Sequence, residues 1–333
     1  MTGEAILLTD EKTLIEFLEK EIARIFSSGD RIAVKIHMGE PGNTTHVPAS
    51  LSAQIVGALN RIECRPFIFD TPVVYRSPRS SVESYLKSAA GHGYTESHIG
   101  APIVISDRST PIKGKLMTYN VAQDVLDADG VLLLTHFKGH MASGMGGAIK
   151  NIGMGCMSKE TKGAIHTGGE PVYDEGCTEC GNCVENCPTK NIRLEDGQPW
   201  FDCTWCPGCS NCAIICPENC ISPKVALFDE AIAEAAVIAH DRFKKVYAIN
   251  VLRNITKLCD CIANSGPVIA DDIGFVCAGD MLTADIASLD IIKERTGKED
   301  IFFEFNMRSS WGHVRAAADM MKRTTDISWR GAE

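Results

Sequence analysis

Eight of the nine cysteines between positions 177 and 216 carry the clearest chemistry in this chain, because they fall in two runs of identical spacing. The first is Cys177, Cys180, Cys183 and Cys187 followed by Pro188; the second is Cys206, Cys209, Cys212 and Cys216 followed by Pro217. The cysteines, the proline and a trailing isoleucine (Ile192, Ile221) recur at an offset of 29 positions. In such a run three thiolates wrap the corners of one cubane, and the fourth, turned away by the proline, reaches the other. The expected ligand sets are Cys177, Cys180, Cys183 with Cys216, and Cys206, Cys209, Cys212 with Cys187, each holding a 4Fe–4S cluster. Zinc usually separates its cysteine pairs by a longer gap, and disulfide frameworks belong to short secreted chains. Cys203 and Cys220 fall outside the repeat and read as small apolar packing beside the clusters. Cys277 receives no role.

A second concentration of chemistry runs from His136 to His166. Gly144, Gly146 and Gly147 lie where a helix should begin after a strand, so free backbone N–H groups could cradle an anion there. The spacing is neither the dinucleotide fingerprint nor the phosphate loop with Gly-Lys-Ser/Thr. Lys150, Asn151, Lys159 and Lys162 follow, suited with Asp70 to an anionic cofactor or substrate. His37, His136 and His140 are candidate catalytic groups, since histidine moves protons near neutral pH. His166, Cys259 and Cys261 are candidates for further metal ligation. Two cysteines one residue apart cannot build a cubane alone and rarely bridge each other; plain burial is their alternative reading.

The elements that must position these groups alternate. Strands are expected at residues 5–8, 32–36, 66–69, 102–105, 130–135 and 246–252. Helices are expected at 11–26, 49–62, 80–90, 120–128, 226–240 and 279–292, with a last one starting at Trp311. Such alternation predicts an α/β fold with a mostly parallel sheet. Ligands then sit at the carboxyl ends of strands, which singles out His37, Asp70 and His136. Residues 170–175 read as a linker. The expected layout is an α/β body over 1–175, a ferredoxin-like α+β insert over 176–222, and the rest of the body over 223–333.

The net charge of −10 provides no basic field for nucleic acid or an anionic membrane. No window approaches the roughly 18 apolar residues of a membrane span, and the first residues lack a signal-peptide pattern. Fifteen cysteines in such a chain imply a reducing, oxygen-poor cytoplasm. Oligomeric state is left open.

The segments KIHMGEPGN at 35–43, HFKGH at 136–140, GMGGAIKNIGMG at 144–155, CDC at 259–261 and WGH at 311–313, with the paired cysteine runs, resemble the iron–sulfur family of "domain of unknown function 362". That resemblance implies the α/β body and a two-cluster ferredoxin insert, but no reaction. A shorter stretch resembles the nickel-pincer lactate racemase, with His140, Gly146-Gly147, Lys150 and His166 in the same order. It implies an acid/base role for His140, a cofactor anchor at Lys150 and a nickel ligand at His166. The leading expectation is an electron-transfer protein or oxidoreductase. Its two clusters would link a ferredoxin-type redox partner to a small molecule, flavin (FMN) or nickel or other metal centre in the α/β cleft. The alternatives are a metal- or pincer-dependent isomerase with accessory clusters, and a ferredoxin-type carrier fused to a docking domain.

Overall fold

A computed structural model describes residues 3–331. Its centre is an eight-stranded sheet in the order Ser328–Gly331, Glu4–Leu8, Gly274–Ala278, Val246–Leu252, Gly130–His136, Arg31–Lys35, Arg65–Asp70, Ile103–Ile105. The five strands from Val246–Leu252 to Ile103–Ile105 are parallel. Gly274–Ala278 runs antiparallel to both its neighbours. The fold is therefore mixed α/β with a mostly parallel centre.

The strand Gly130–His136 shows why the sheet is covered on both faces. All seven of its residues are buried, with no polar alternate face. Because successive side chains point oppositely, Leu132 and Leu134 join the core under helices Glu11–Ile25 and Ala49–Arg61. Val131 and Leu133 join the other core, which holds Ala148–Gly153, Phe228–His240, Met281–Thr296 and Gly312–Met321.

Three expectations are corrected. Residues 118–122 form a strand, Thr118–Ala122, paired antiparallel with Ser109–Lys113, and only Gln123–Leu126 is helical. The segment has a period of two: Tyr119 and Val121 are buried while Thr118 is exposed. The stretch read as a linker contains the strand Pro171–Tyr173, which pairs antiparallel with Ile221–Pro223 and so brings the two ends of the cysteine-rich segment together. The loop after His136 folds as a hairpin of Lys138–His140 and Gly144–Gly146.

The helix Ala148–Gly153 is aimed by a distant carboxylate. Asp285, on the buried helix Met281–Thr296, accepts from Ala148 N (2.6 Å), Ile149 N (2.9 Å) and Asn250 Nδ2 (2.8 Å). It satisfies two of the orphan N–H groups of that helix start. Gly147 is required here, since a Cβ would collide with the Asp285 carboxylate. The expected anion cradle of the glycine loop is thus filled by the protein's own carboxylate. Burial pushes the Asp285 carboxyl up to about 6, against the pull of its donors. Asp285→Ala should lower unfolding free energy by about 3 kcal/mol, because charge-assisted bonds to buried N–H groups are lost. Denaturant melts measure it, and a change within about 0.5 kcal/mol would show that the cap is dispensable.

Candidate functional site

At the carboxyl ends of the parallel strands lies a cavity of about 310 Å³. It brings together His37, Asp70, His136, His140, Gly146, Gly147, Lys150, Asn151, Lys162, His166, Cys259 and Cys261 from the sequence candidates. Gly144 and Lys159 are not in its wall. The Gly144 backbone is packed against Ser309 and Ser310, and Lys159 Nζ donates to Ser80 O (2.7 Å).

Most of the cavity's charges are already paired. Lys35, at the end of its strand, donates to Asp70 Oδ1 (3.0 Å) and Asn151 Oδ1 (2.8 Å). The other Asp70 oxygen takes the Tyr85 hydroxyl. Lys162 Nζ spends its donors on Thr71 Oγ1 (2.6 Å), Pro72 O (2.7 Å) and Thr71 O (3.2 Å). Burial, with Lys35 and Arg79 nearby, pushes Lys162 down to about 8 despite Asp70.

Two of the three expected catalytic histidines are committed elsewhere. His136 Nδ1 lies 2.8 Å from Asp260 Oδ2, and its Nε2 lies 2.9 Å from Arg253 O and 3.1 Å from Asn254 O. Those oxygens only accept, so each ring nitrogen faces a protein acceptor and neither is open to a metal. Burial alone would raise the Asp260 carboxyl, but His136 and Lys138 hold it far below the usual carboxylate range. His37 Nε2 faces Arg79 Nη1 at 2.7 Å, and Arg79 also donates to Glu40 Oε2 (2.7 Å). Burial and then the Arg79 charge push His37 well down.

His140 differs, because its Nδ1 is engaged by Ala142 N (3.1 Å) and Ser143 Oγ (3.1 Å), while Nε2 has no hydrogen-bond partner among the described residues. Burial, then Lys150 and His166, push His140 well down. Its nearest metal-binding neighbours are Cys259 and Cys261: the ligand atoms of all three lie within 4.8 Å of one another, a group able to hold a metal ion. The two sulfurs are joined in a disulfide, contrary to expectation. The turn at Asp260 brings their Cα atoms to 5.3 Å, within the range for a bridge.

Beyond the cavity, Cys177, Cys180, Cys183 and Cys216 line one small void, and Cys187, Cys206, Cys209 and Cys212 line another. Backbone N–H groups point at thiols in both sets: Glu179 N at Cys177 Sγ, Asn191 N at Cys187 Sγ and Gly208 N at Cys206 Sγ, each at 3.4 Å. Cys203, expected to be packed, is exposed at the head of a short turn, whereas Cys220 is buried 3.4 Å from Cys216 Sγ. Pro207 lines both the second void and the main cavity. Its carbonyl lies 2.7 Å from His166 Nδ1, and Gly208 (φ +60°) packs backbone to backbone on His166, where a Cβ would strike His166 O. With Nδ1 donating to that carbonyl, His166 Nε2 keeps a lone pair. Burial pushes His166 down.

Sequence reasoning missed Lys35, Arg79, Lys138, Asp260 and Asp285. Lys35 left a legible signal, a charge inside an otherwise apolar strand, whereas Asp260 and Asp285 gave none without their distant partners.

A mostly parallel α/β sheet with a cation-rich cavity at its carboxyl edge and a cysteine-rich segment beside it defines the class. The chain belongs to the family described as "Domain of unknown function (DUF362)", whose model matches residues 32–290. A protein from Thermotoga maritima, solved as a structural genomics target, is similar with a TM-score of 0.43 and 10% identity, over 73% of this chain and 51% of that one. The lactate racemase apoprotein from Thermoanaerobacterium thermosaccharolyticum is similar with a TM-score of 0.47 and 10% identity, over 88% of this chain and 57% of that one. The chain thus spans little more than half the length of either. No curated protein sequence matches it. No helix among the described residues is long and apolar enough to cross a membrane.

Lys150 is the cation left over. Among the described residues its amine has no hydrogen-bond or ion-pair partner, and it lines the cavity with Asn151 one residue on. Burial, reinforced by Lys138 and Lys162, pushes it from 10.5 down to about 7. Between those values the unfolded chain holds this proton and the folded chain does not, so stability rises with pH across that window. A bound anion should reverse the penalty. The affinity for sulfate, whose charge is constant in this range, should rise as pH falls through about 7. In Lys150→Met that rise should shrink to what Lys162, pushed down to about 8, contributes, and unfolding free energy should increase by about 1 kcal/mol, because a largely desolvated amine without a partner is removed. Calorimetric titration and melts measure both, and pH-independent sulfate binding in the unaltered chain would refute the assignment.

Proposed function

We propose that this chain is an iron–sulfur redox protein whose α/β cavity binds a small anionic molecule beside the second of two 4Fe–4S clusters. The observation that carries the reading is Pro207, which belongs at once to the wall of the Cys187, Cys206, Cys209, Cys212 void and to the wall of the main cavity. The donor set fits the groups: the four expected cysteines line each void, with Cys220 beside the first, and N–H groups point at sulfur, which stabilises thiolate character and tunes potential. Bound there, a cubane accepts and gives up one electron at a time. On this reading residues 176–222 are a ferredoxin-like insert, and a ferredoxin-type partner in an oxygen-poor cytoplasm exchanges electrons with it.

The chain's own residues supply the rest. Lys150 attracts the anionic group of the molecule, and Asn151, held by Lys35 and Thr135, fixes one edge of the cavity. Val73, Met141, Met154, Phe228 and Leu258 give the remaining wall an apolar surface that excludes water. His166 ties the cavity wall to the Cys206–Cys209 turn through Pro207. The volume lies at the small end of ligand cavities, which favours a small substrate over a flavin.

Protein purified without oxygen should contain about eight irons and eight sulfides per chain, as two cubanes require. Cys206→Ser should reduce this to about four, because only one set of thiolates is left complete. Elemental analysis decides it. Zinc in place of iron, or fewer than about two irons in the unaltered chain, would defeat the reading.

A further inference from the structure

We propose that His140, Cys259 and Cys261 form a second, separate metal site on the cavity wall, which takes one thiophilic divalent cation when its two sulfurs are thiolates. The inference does not depend on the cluster reading, since none of these residues belongs to the two cysteine runs.

The three ligand atoms come from two segments far apart in the chain and meet within 4.8 Å of one another. One imidazole and two thiolates make a borderline-soft set of the kind that zinc accepts and magnesium or calcium does not. Three protein ligands leave a fourth position, and here all three residues line the cavity, so that position lies on its side.

The surroundings suit the ring and the charge. The Ser143 hydroxyl donates to Met145 O (2.7 Å), so its oxygen is free to accept from His140 Nδ1 (3.1 Å). A proton on Nδ1, at the cost of the Ala142 N contact, leaves the Nε2 lone pair for the metal, the usual arrangement of a metal-binding histidine. Asp260, between the two cysteines, is held by His136 and Lys138 and is not a competing ligand. Two thiolates neutralise one divalent cation, so the cavity keeps the excess positive charge to which Lys150 and Lys162 contribute. An anion at the fourth position would lie in the same cavity that Lys150 lines.

The site needs both sulfurs as thiolates, whereas Cys259 and Cys261 are joined in the structure. A dithiol reductant opens the bond by supplying two electrons and two protons and is itself oxidised to a disulfide. Metal binding then releases the two thiol protons.

The test uses the full chain with its iron in place, kept without oxygen, treated with dithiothreitol, exposed to Zn²⁺ and freed of unbound metal. About one zinc per chain should be retained, as a single three-ligand site requires. Cys259→Ser and His140→Gln should retain at least tenfold less at the same free zinc, with iron content unchanged as the control for folding. Equal zinc in the unaltered and Cys259→Ser chains would overturn the proposal. So would no zinc in an unaltered chain whose Cys259 and Cys261 both react as free thiols. Low iron with the zinc difference intact would defeat the cluster reading and leave this site standing.

Discussion

The Asp285 carboxylate holding two N–H groups of the helix after the glycine hairpin is the contact on which the cavity depends. It joins the helix Met281–Thr296, the strand Val246–Leu252 through Asn250, and the first turn of Ala148–Gly153. That turn carries Lys150 and Asn151, so a carboxylate on the far side of the wall sets where the cavity's unpaired amine stands. A helix start is an attractive site for an anion, and here the anion is supplied internally. The consequence is that the Ala148 and Ile149 N–H groups are not available to a ligand.

Charge pairing then divides the cavity. Lys35 has Asp70, Lys138 has Asp260, and Arg79 has Glu40. Such buried pairs stabilise little against their desolvation, but they hold Asn151, His136 and His37 in fixed positions. Lys150 has no such partner, and the cations around it make its protonated form costly. A fold that keeps an amine in this state gives up stability at a site that gains it back on binding an anion.

Sequence and structure agree where local pattern decides. The strands that end in Asp70 and His136, and the one that leads into His37, were readable from apolar runs and strand–helix alternation, and these three residues do meet in one cavity. The roles of the histidines were not readable, because they depend on partners elsewhere in the chain. His136 is committed by Asp260, 124 positions away, and the glycine hairpin by Asp285, 137 positions from Ala148. Thr118–Ala122 misled in another way: a short strand and one helical turn share a stretch that is apolar enough to pass for a helix. Likewise Pro171–Tyr173 is a strand only because Ile221–Pro223 returns beside it.

The central claim is that the two four-cysteine sets each hold a 4Fe–4S cluster, the second of them beside the cavity wall at Pro207. Electron paramagnetic resonance of the chemically reduced chain tests this most directly. Two neighbouring reduced cubanes should give a spectrum broadened by interaction between their spins, and Cys206→Ser should leave the simple signal of one. A reduced chain with no paramagnetic signal, or with one isolated cluster before any substitution, would contradict the account.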